Sequence, residues 1–458
     1  GTFVLVEYLL GPARRETANG QRAAQDAHRG SPAVYLAAFL AGLIYAFGSY
    51  RLVYAAIGHY DMWSTAWIPY YTLYLFKTIR ERRMRTAVLA GLFLVLSMLA
   101  EMIFGVFLGM LTIVVLAFVV GRRGREEVVG GLPSLVGRLA VMGLVATLLY
   151  LPVLVPVVGE MFGGYELAGW GDAEKLSVDL MGLVTPTALH PLGGNWVETL
   201  RQVQEGTSRF RDVNTVFLGW AGLALAIVGA VRYRRRVAAW ITSFVIFAVF
   251  GLGPLLQING RSIFDLDGLL VNVPLPFIAL HYIPFVKANR VPNRFSVVLM
   301  LSLAVLAGFG AYWLLTKLGR SKTRVGRVVL VACTLLLATL VIFEHWSVPL
   351  PLTDARIPAV YHQVAEEPGD FAILQLPMGW RNSFGVQGTE STQTQYYQTY
   401  HNKRLLSGNI SRNPPFKFDY FQQIPILDSL ISIQTYNEVD AERRAADQST
   451  ADEFVSFY

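Results

Sequence analysis

The stretch "RERRMRTAVLAGLFLVLSMLAEMIFGVFLGMLTIVVLAFVVGRRGRE", residues 80–126, holds four arginines before an apolar run and three after it. The run over 86–119 is too long for one bilayer crossing, which takes about 20 residues. Lysine and arginine gather on the cytoplasmic side of a membrane, so both ends of the run belong there and the chain must turn back within it. The spacing predicts a helical hairpin with arms of about 16 residues each, shorter than a full crossing. Its turn, "SMLAEMIFG", then places Glu101 below the level of the lipid headgroups. An ionisable side chain at that depth is a functional candidate.

The rest of the chain follows the same pattern. Of its 458 residues 53% are hydrophobic and 16% charged, with a mean hydropathy of +0.43, too apolar for a single soluble domain of this length. Apolar stretches over 33–50, 62–79, 134–157, 214–231, 237–254, 295–315 and 328–346 approach or reach spanning length. About half of the 39 lysines and arginines fall in the loops 11–32, 80–85, 121–133, 232–236 and 316–327. The charge bias assigns those five loops to the cytoplasm. Clustering of this kind, not nucleic-acid binding, accounts for the net charge of +7. The lone Cys333 excludes an intrachain disulfide.

Alternation puts residues 51–61, 158–213 and 255–294, and everything after about 347, on the outer side. The opening "GTFVLVEYLL" reads as the tail of a descending helix, which implies a fragment lacking an upstream helix and the outer loop after it. Residues 347–458 contain 8 Lys and Arg against 13 Asp and Glu, a sharp change in composition. The expected fold is mainly α: a polytopic transmembrane bundle over 1–346, with about nine helices plus a partial first one, and a small extracytoplasmic α/β domain over 347–458. In that domain "IPAVYHQVAEE" has helical spacing, "DFAILQLP" reads as a strand, and the terminal "EFVSFY" reads as a strand beginning.

Polar residues at the outer mouths are the candidate site. Lys287, Arg290 and Arg294 in "VKANRVPNRF", residues 286–295, run against the cytoplasmic bias of cations. Phosphate is their natural partner, because arginine pairs bidentately with its oxygens and lysine adds a point charge. Snorkelling to ordinary headgroups explains the same letters. His59 and Asp61 sit in a short loop before an aromatic-rich helix, where they form either a polar lip or a solvated turn within an aromatic belt. In "LVTPTALHPLGGNW", residues 183–196, His190, Asn195 and Trp196 suit sugar or acceptor binding, and an interfacial turn explains them as well. The chain contains no GxGxxG, P-loop, CxxC or HExxH motif, which argues against nucleotide-driven or thiolate-zinc chemistry.

The succession "FLAGLIYAFGSYRLVYAAIGHYDMWSTAWIPYYTLYLF", "LMGLVTPTALHPLGG", "VFLGWAGLALAIVG" and "VKANRVPNRF" resembles bacterial polytopic glycosyltransferases of the GT-C class. The tail segments "GDFAILQLPMGW" and "TQYYQTYHNKRLLSGN" resemble the extracytoplasmic domains many of them carry. The resemblance implies a multi-pass protein of the bacterial plasma membrane that moves a sugar from a polyprenyl-phosphate carrier to a glycan, lipid or protein acceptor. It implies a base in the first outer loop, which lies upstream of Gly1, with Asp61 and Glu101 as second choices. A divalent metal is compatible with that class, and the lipid phosphate falls to Lys287, Arg290 and Arg294. Two other functions share these features: a transporter or flippase of a lipid-linked saccharide, and a noncatalytic envelope-assembly protein. Transporters often show repeated halves, and no repeat is visible here.

The topology is testable with single cysteines. In a Cys333→Ala background, Ser391→Cys is expected to react with an impermeant thiol reagent in intact cells and Ser321→Cys is not. The reverse pattern would overturn the orientation.

Overall fold

The computed structural model describes residues 1–11, 31–122, 125–162, 173–191, 215–283, 286, 289, 291–319, 323–348, 350, 352–381, 386–410, 415–438 and 441–457. The chain divides into two compact units, Gly1–Pro351 and Leu352–Tyr458.

The first unit is a helical bundle. Its helices are α1 (Thr2–Leu10), α2 (Pro32–Phe47), α3 (Ser49–Ala56), α4 (Tyr60–Trp63), α5 (Trp67–Glu81) and α6 (Met84–Ala100), followed by α7 (Ile103–Arg122), α8 (Arg125–Phe162), α9 (Trp220–Arg232), α10 (Ala238–Gly251), α11 (Ser296–Leu318) and α12 (Arg324–Glu344). Five helical segments are long and apolar enough to cross a membrane, namely Pro32–Ala56, Ile103–Gly121, Pro133–Glu160, Pro292–Leu318 and Arg324–Glu344, and they mark a multi-pass membrane protein. The other helices at sequence-predicted spans, α5, α6, α9 and α10, have 15, 17, 13 and 14 residues. At α9 the apolar run begins in buried, non-helical chain: Val216, Phe217 and Leu218 are buried ahead of the helix. The 80–126 hairpin exists, with longer arms than its spacing suggested. The flanking arginines Arg85 and Arg122 join the helices, giving 17 and 20 residues, or about 26 and 30 Å at 1.5 Å per residue.

A helix apolar on all sides belongs either in a protein core or in lipid. In the Pro292–Leu318 segment 89% of the most apolar window is buried, against 17% for Pro133–Glu160, so α11 forms the centre and α8 the periphery. α1, α2, α9, α10 and α12 pack around α11. The tightest approach is to α9, where a methyl group on Gly310 would overlap the carbonyl of Leu225 and one on Gly229 the carbonyl of Leu306. Small residues let membrane helices touch backbone to backbone, where dispersion replaces the hydrophobic drive that lipid removes. Ser302 of α11 adds a 2.9 Å hydrogen bond to Ser243 of α10.

Cation-rich segments meet at one end of this bundle. Arg236 donates through Nη2 to the carbonyls of Leu9, Leu10 and Gly11. Arg80 lies over the Tyr8 ring, and both Arg232 and Lys317 lie over Trp313. Towards the other end, buried polar groups tie α3, α9 and α12 together. Glu344 accepts from the Ala221 backbone N–H with both carboxylate oxygens at 3.0 and 3.1 Å, satisfying a donor at the start of α9. Next to it, His345 Nδ1 shares a 2.7 Å hydrogen bond with Ser49 Oγ. Gly219, at φ 78°, sits against both His345 and Glu344, where no side chain fits. Outside the helices, β1 (Phe264–Leu266) and β2 (Leu269–Val271) form an antiparallel hairpin closed by Asp267 and Gly268, both at positive φ.

The second unit is a small α/β assembly. Parallel β3 (Ala372–Ile373) and β6 (Arg404–Leu405) form one pair, and β4 (Gly379–Arg381) lies between antiparallel β5 (Val386–Gly388) and parallel β7 (Gly408–Asn409). Met378, Trp380, Leu427 and Ile431 form its core, with Trp380 stacked on Phe421. "IPAVYHQVAEE" contains the expected helix, Ala359–Glu366, and "DFAILQLP" the expected strand, β3. In the terminal "EFVSFY" the described residues, 453–457, are not a strand. They end the helix Ala441–Phe457, whose preceding alanine, glutamate and arginine residues are strong helix formers that carry the helix through the β-prone tail.

The α9–α11 contact makes a direct prediction. Gly310→Ala is expected to lower the stability of the detergent-purified protein by about 1–3 kcal/mol through overpacking. Gly109→Ala, with open space around its Cβ, is expected to leave it unchanged or slightly raised. Equal melting temperatures for the two variants would refute backbone contact at Gly310.

Candidate functional site

Four of the residues singled out from sequence come together at the end of the bundle opposite the cation-rich one. Arg294 belongs to a 3-10 turn, Pro292–Phe295, leading into α11. The turn is fixed on several sides. Phe295 is fully buried, with its ring 4.4 Å from that of Phe107 and 5.3 Å from that of Phe250. The Asn293 N–H donates to the Leu176 carbonyl, and Val291 packs on Val53 and Leu176. Arg294 therefore stands on a rigid base.

Glu101 ends α6, with its backbone N–H bonded to the Ser97 carbonyl and its own carbonyl accepting from Phe104. Its Oε1 lies 3.4 Å from Arg294 Nη1, across 193 residues of sequence. A charge-assisted bond of this type is usually about 2.8 Å, so the pair is loose. Each side chain is about one-fifth exposed, at 21% and 22%. Among the described residues Arg294 Nε and the phenol oxygen of Tyr54 are buried and form no hydrogen bond of ordinary geometry, although the phenol lies close enough to the guanidinium to interact with it.

His59 and Asp61 enter from the loop between α3 and α5. That loop is held by three side chains: Tyr50 and Tyr45 donate to the Met62 and Thr65 carbonyls, and Arg51 donates to the Trp63 carbonyl. His59 Nδ1 lies 3.8 Å from Asp61 Oδ1, and the His59 ring meets Tyr54 edge-on. Asp61 is within hydrogen-bonding reach of Glu101. Burial raises the Glu101 carboxyl above its ordinary range, Arg294 draws it back, and Asp61 raises it again. Burial lowers the His59 imidazole, with Asp61 opposing and Arg294 adding to the effect. The arrangement sets two neighbouring carboxyls beside a cation held by one loose bond.

The other candidates stand differently. His190 is buried, its Nε2 2.9 Å from the Phe343 carbonyl and its ring edge-on to Phe343, within the polar cluster of His345. Lys287, Arg290, Asn195 and Trp196 lie outside the described residues. Among the described residues no three His, Cys, Asp or Glu side chains are placed to hold a metal ion, and His59, Asp61 and Glu101 do not form such a group. The sequence reading missed Tyr54 and Tyr50, which passed for ordinary core in an apolar helix. Their i, i+4 spacing around Arg51 is the signal that marked a polar-facing stripe. No family model, curated protein or solved structure matches this chain, so the reading of the site rests on its own geometry.

The pairing can be measured with a double-mutant cycle. Glu101→Gln and Arg294→Ala are each expected to lower thermal stability in detergent, and the double variant to lose less than their sum, by a coupling on the order of 1–2 kcal/mol. Strict additivity would show that the two side chains do not interact.

Proposed function

We propose that this is a membrane glycosyltransferase of the GT-C type, acting at the outer face of a bacterial plasma membrane on a sugar carried by polyprenyl phosphate. One observation carries the reading: Glu101 and Arg294, a carboxyl of raised proton affinity and a cation held by one loose bond, meet at one mouth of the bundle with Asp61 beside them. The acceptor could be a glycan, a lipid or a protein.

In this reading the acceptor hydroxyl attacks the anomeric carbon while the bond from that carbon to the phosphate oxygen breaks, and the bonding electrons leave with the phosphate. Ionised Glu101 takes the hydroxyl proton. Asp61 keeps Glu101 basic by placing a second negative charge near it. Arg294 faces the phosphate as its charge develops, and an interaction that strengthens along this path lowers the barrier where a uniform one does not. The loose bond to Glu101 leaves the guanidinium free to exchange partners. Lys287 and Arg290 would add to the same phosphate site.

The test is sugar transfer by purified protein from a panel of polyprenyl-phosphate sugars. Arg294→Ala is expected to slow transfer by roughly 30- to 1,000-fold, corresponding to about 2–4 kcal/mol in the transition state, and Arg294→Lys to restore part of the rate. The acid limb of the rate profile should lie above the ordinary glutamate value of about 4.3. It should move down in Asp61→Asn, which removes a charge that raises Glu101, and up in Arg294→Ala, which removes one that lowers it. Transfer at near wild-type rate in Glu101→Gln and Arg294→Ala would reject the assignment.

A further inference from the structure

At the cation-rich end, a cavity of about 140 Å³ opens between α1, α5, α7, α10 and α11. Two guanidinium groups, Arg80 and Arg236, line it, and the rest of the lining is apolar. Among the described residues neither arginine has a carboxylate partner. Arg80 lies over the rings of Tyr8 and Phe76 at 5.5 and 5.3 Å. Arg236 lies over Phe309 at 5.3 Å and commits only Nη2, to the carbonyls that end α1. Among the described residues its Nε and Nη1 donate to no acceptor. Both side chains remain open to solvent, and each lies within electrostatic range of the other. Two like charges beside one concave, acid-free space form a place where an anion relieves repulsion and an uncharged molecule does not.

The walls indicate what kind of anion. Val115, Phe118 and Val119 come from α7, one of the five segments apolar enough to cross a membrane, and Phe76 stacks on Trp240 to close the floor. Phosphate oxygens suit the arginine forks, and an acyl chain suits the α7 wall. We propose that this cavity is a binding site for an anionic phospholipid of the adjoining leaflet, with its phosphate between Arg80 and Arg236 and an acyl chain along α7. The site lies at the opposite end of α7 from Glu101 and is independent of the transfer reading. A built concavity distinguishes it from the general attraction of basic loops to charged headgroups, which needs no defined partner.

The full chain, purified in detergent, would be titrated with phosphatidylglycerol and with phosphatidylcholine, and bound lipid counted by native mass spectrometry. Phosphatidylglycerol is expected to bind at least tenfold more tightly, with one copy retained. Arg80→Gln should abolish that preference. Val119→Trp, which fills the apolar wall without changing charge, should weaken phosphatidylglycerol by a similar factor and tests the acyl chain separately. Arg236→Lys, which keeps a donor for the α1 carbonyls, should give a partial loss. Equal binding of the two lipids, or an unchanged preference in Arg80→Gln, overturns the proposal. Displacement of the retained lipid by millimolar inorganic phosphate, or unaltered binding in Val119→Trp, overturns its lipid character by showing that the wall adds nothing.

Discussion

Lipid is as apolar as leucine, so a membrane helix gains nothing by hiding an apolar face from it; what it gains is close contact. α11 meets that constraint at Gly310, where its backbone lies against that of α9 at Gly229. Its burial is completed by α1, α2, α10 and α12 packed around it, and the turn before it is placed by that packing. Phe295, enclosed by Phe107, Phe250 and Phe277, carries the position of α11 into the Pro292–Phe295 turn. Arg294 is thereby held where Glu101 can reach it. The site rests on helix packing several turns away.

The positions of the helices were legible because apolar runs bounded by arginines have few alternatives in a bilayer. Their lengths were less so. The break at Gly48 between α2 and α3, and the non-helical residues 64–66 before α5, interrupt runs that hydropathy alone reads as continuous. The reading of "EFVSFY" as a strand failed for a related reason, since local β propensity yields to a helix already propagating from Ala441. Glu101, Asp61, His59 and Arg294 could be named singly, because an ionisable group at a helix mouth stands out by its surroundings. Their shared depth at the outer helix ends points to one outward mouth, and His59, Asp61, Glu101 and Arg294 do meet at one mouth; which side chains touch could not be read, because sequence leaves a helix's lateral neighbours open. The role of Tyr54 was hidden for the same reason.

The arginines at the two ends of the bundle are partnered in different ways, and the difference bears on what each can do. Arg294 shares its surroundings with two carboxyls, so its charge is locally offset and its proximity changes the proton affinity of Glu101. Arg80 and Arg236 are set among carbonyls and aromatic rings, which orient a guanidinium without cancelling its charge. A cation offset by acids is suited to exchanging partners during a reaction. One held by rings and carbonyls keeps a constant field, which suits standing occupancy by an anion. α7 connects the two settings, with Glu101 before its first residue and the arginine cavity near its last turns, so a single hairpin arm of about 30 Å separates a guanidinium offset by carboxyls from a pair that is not.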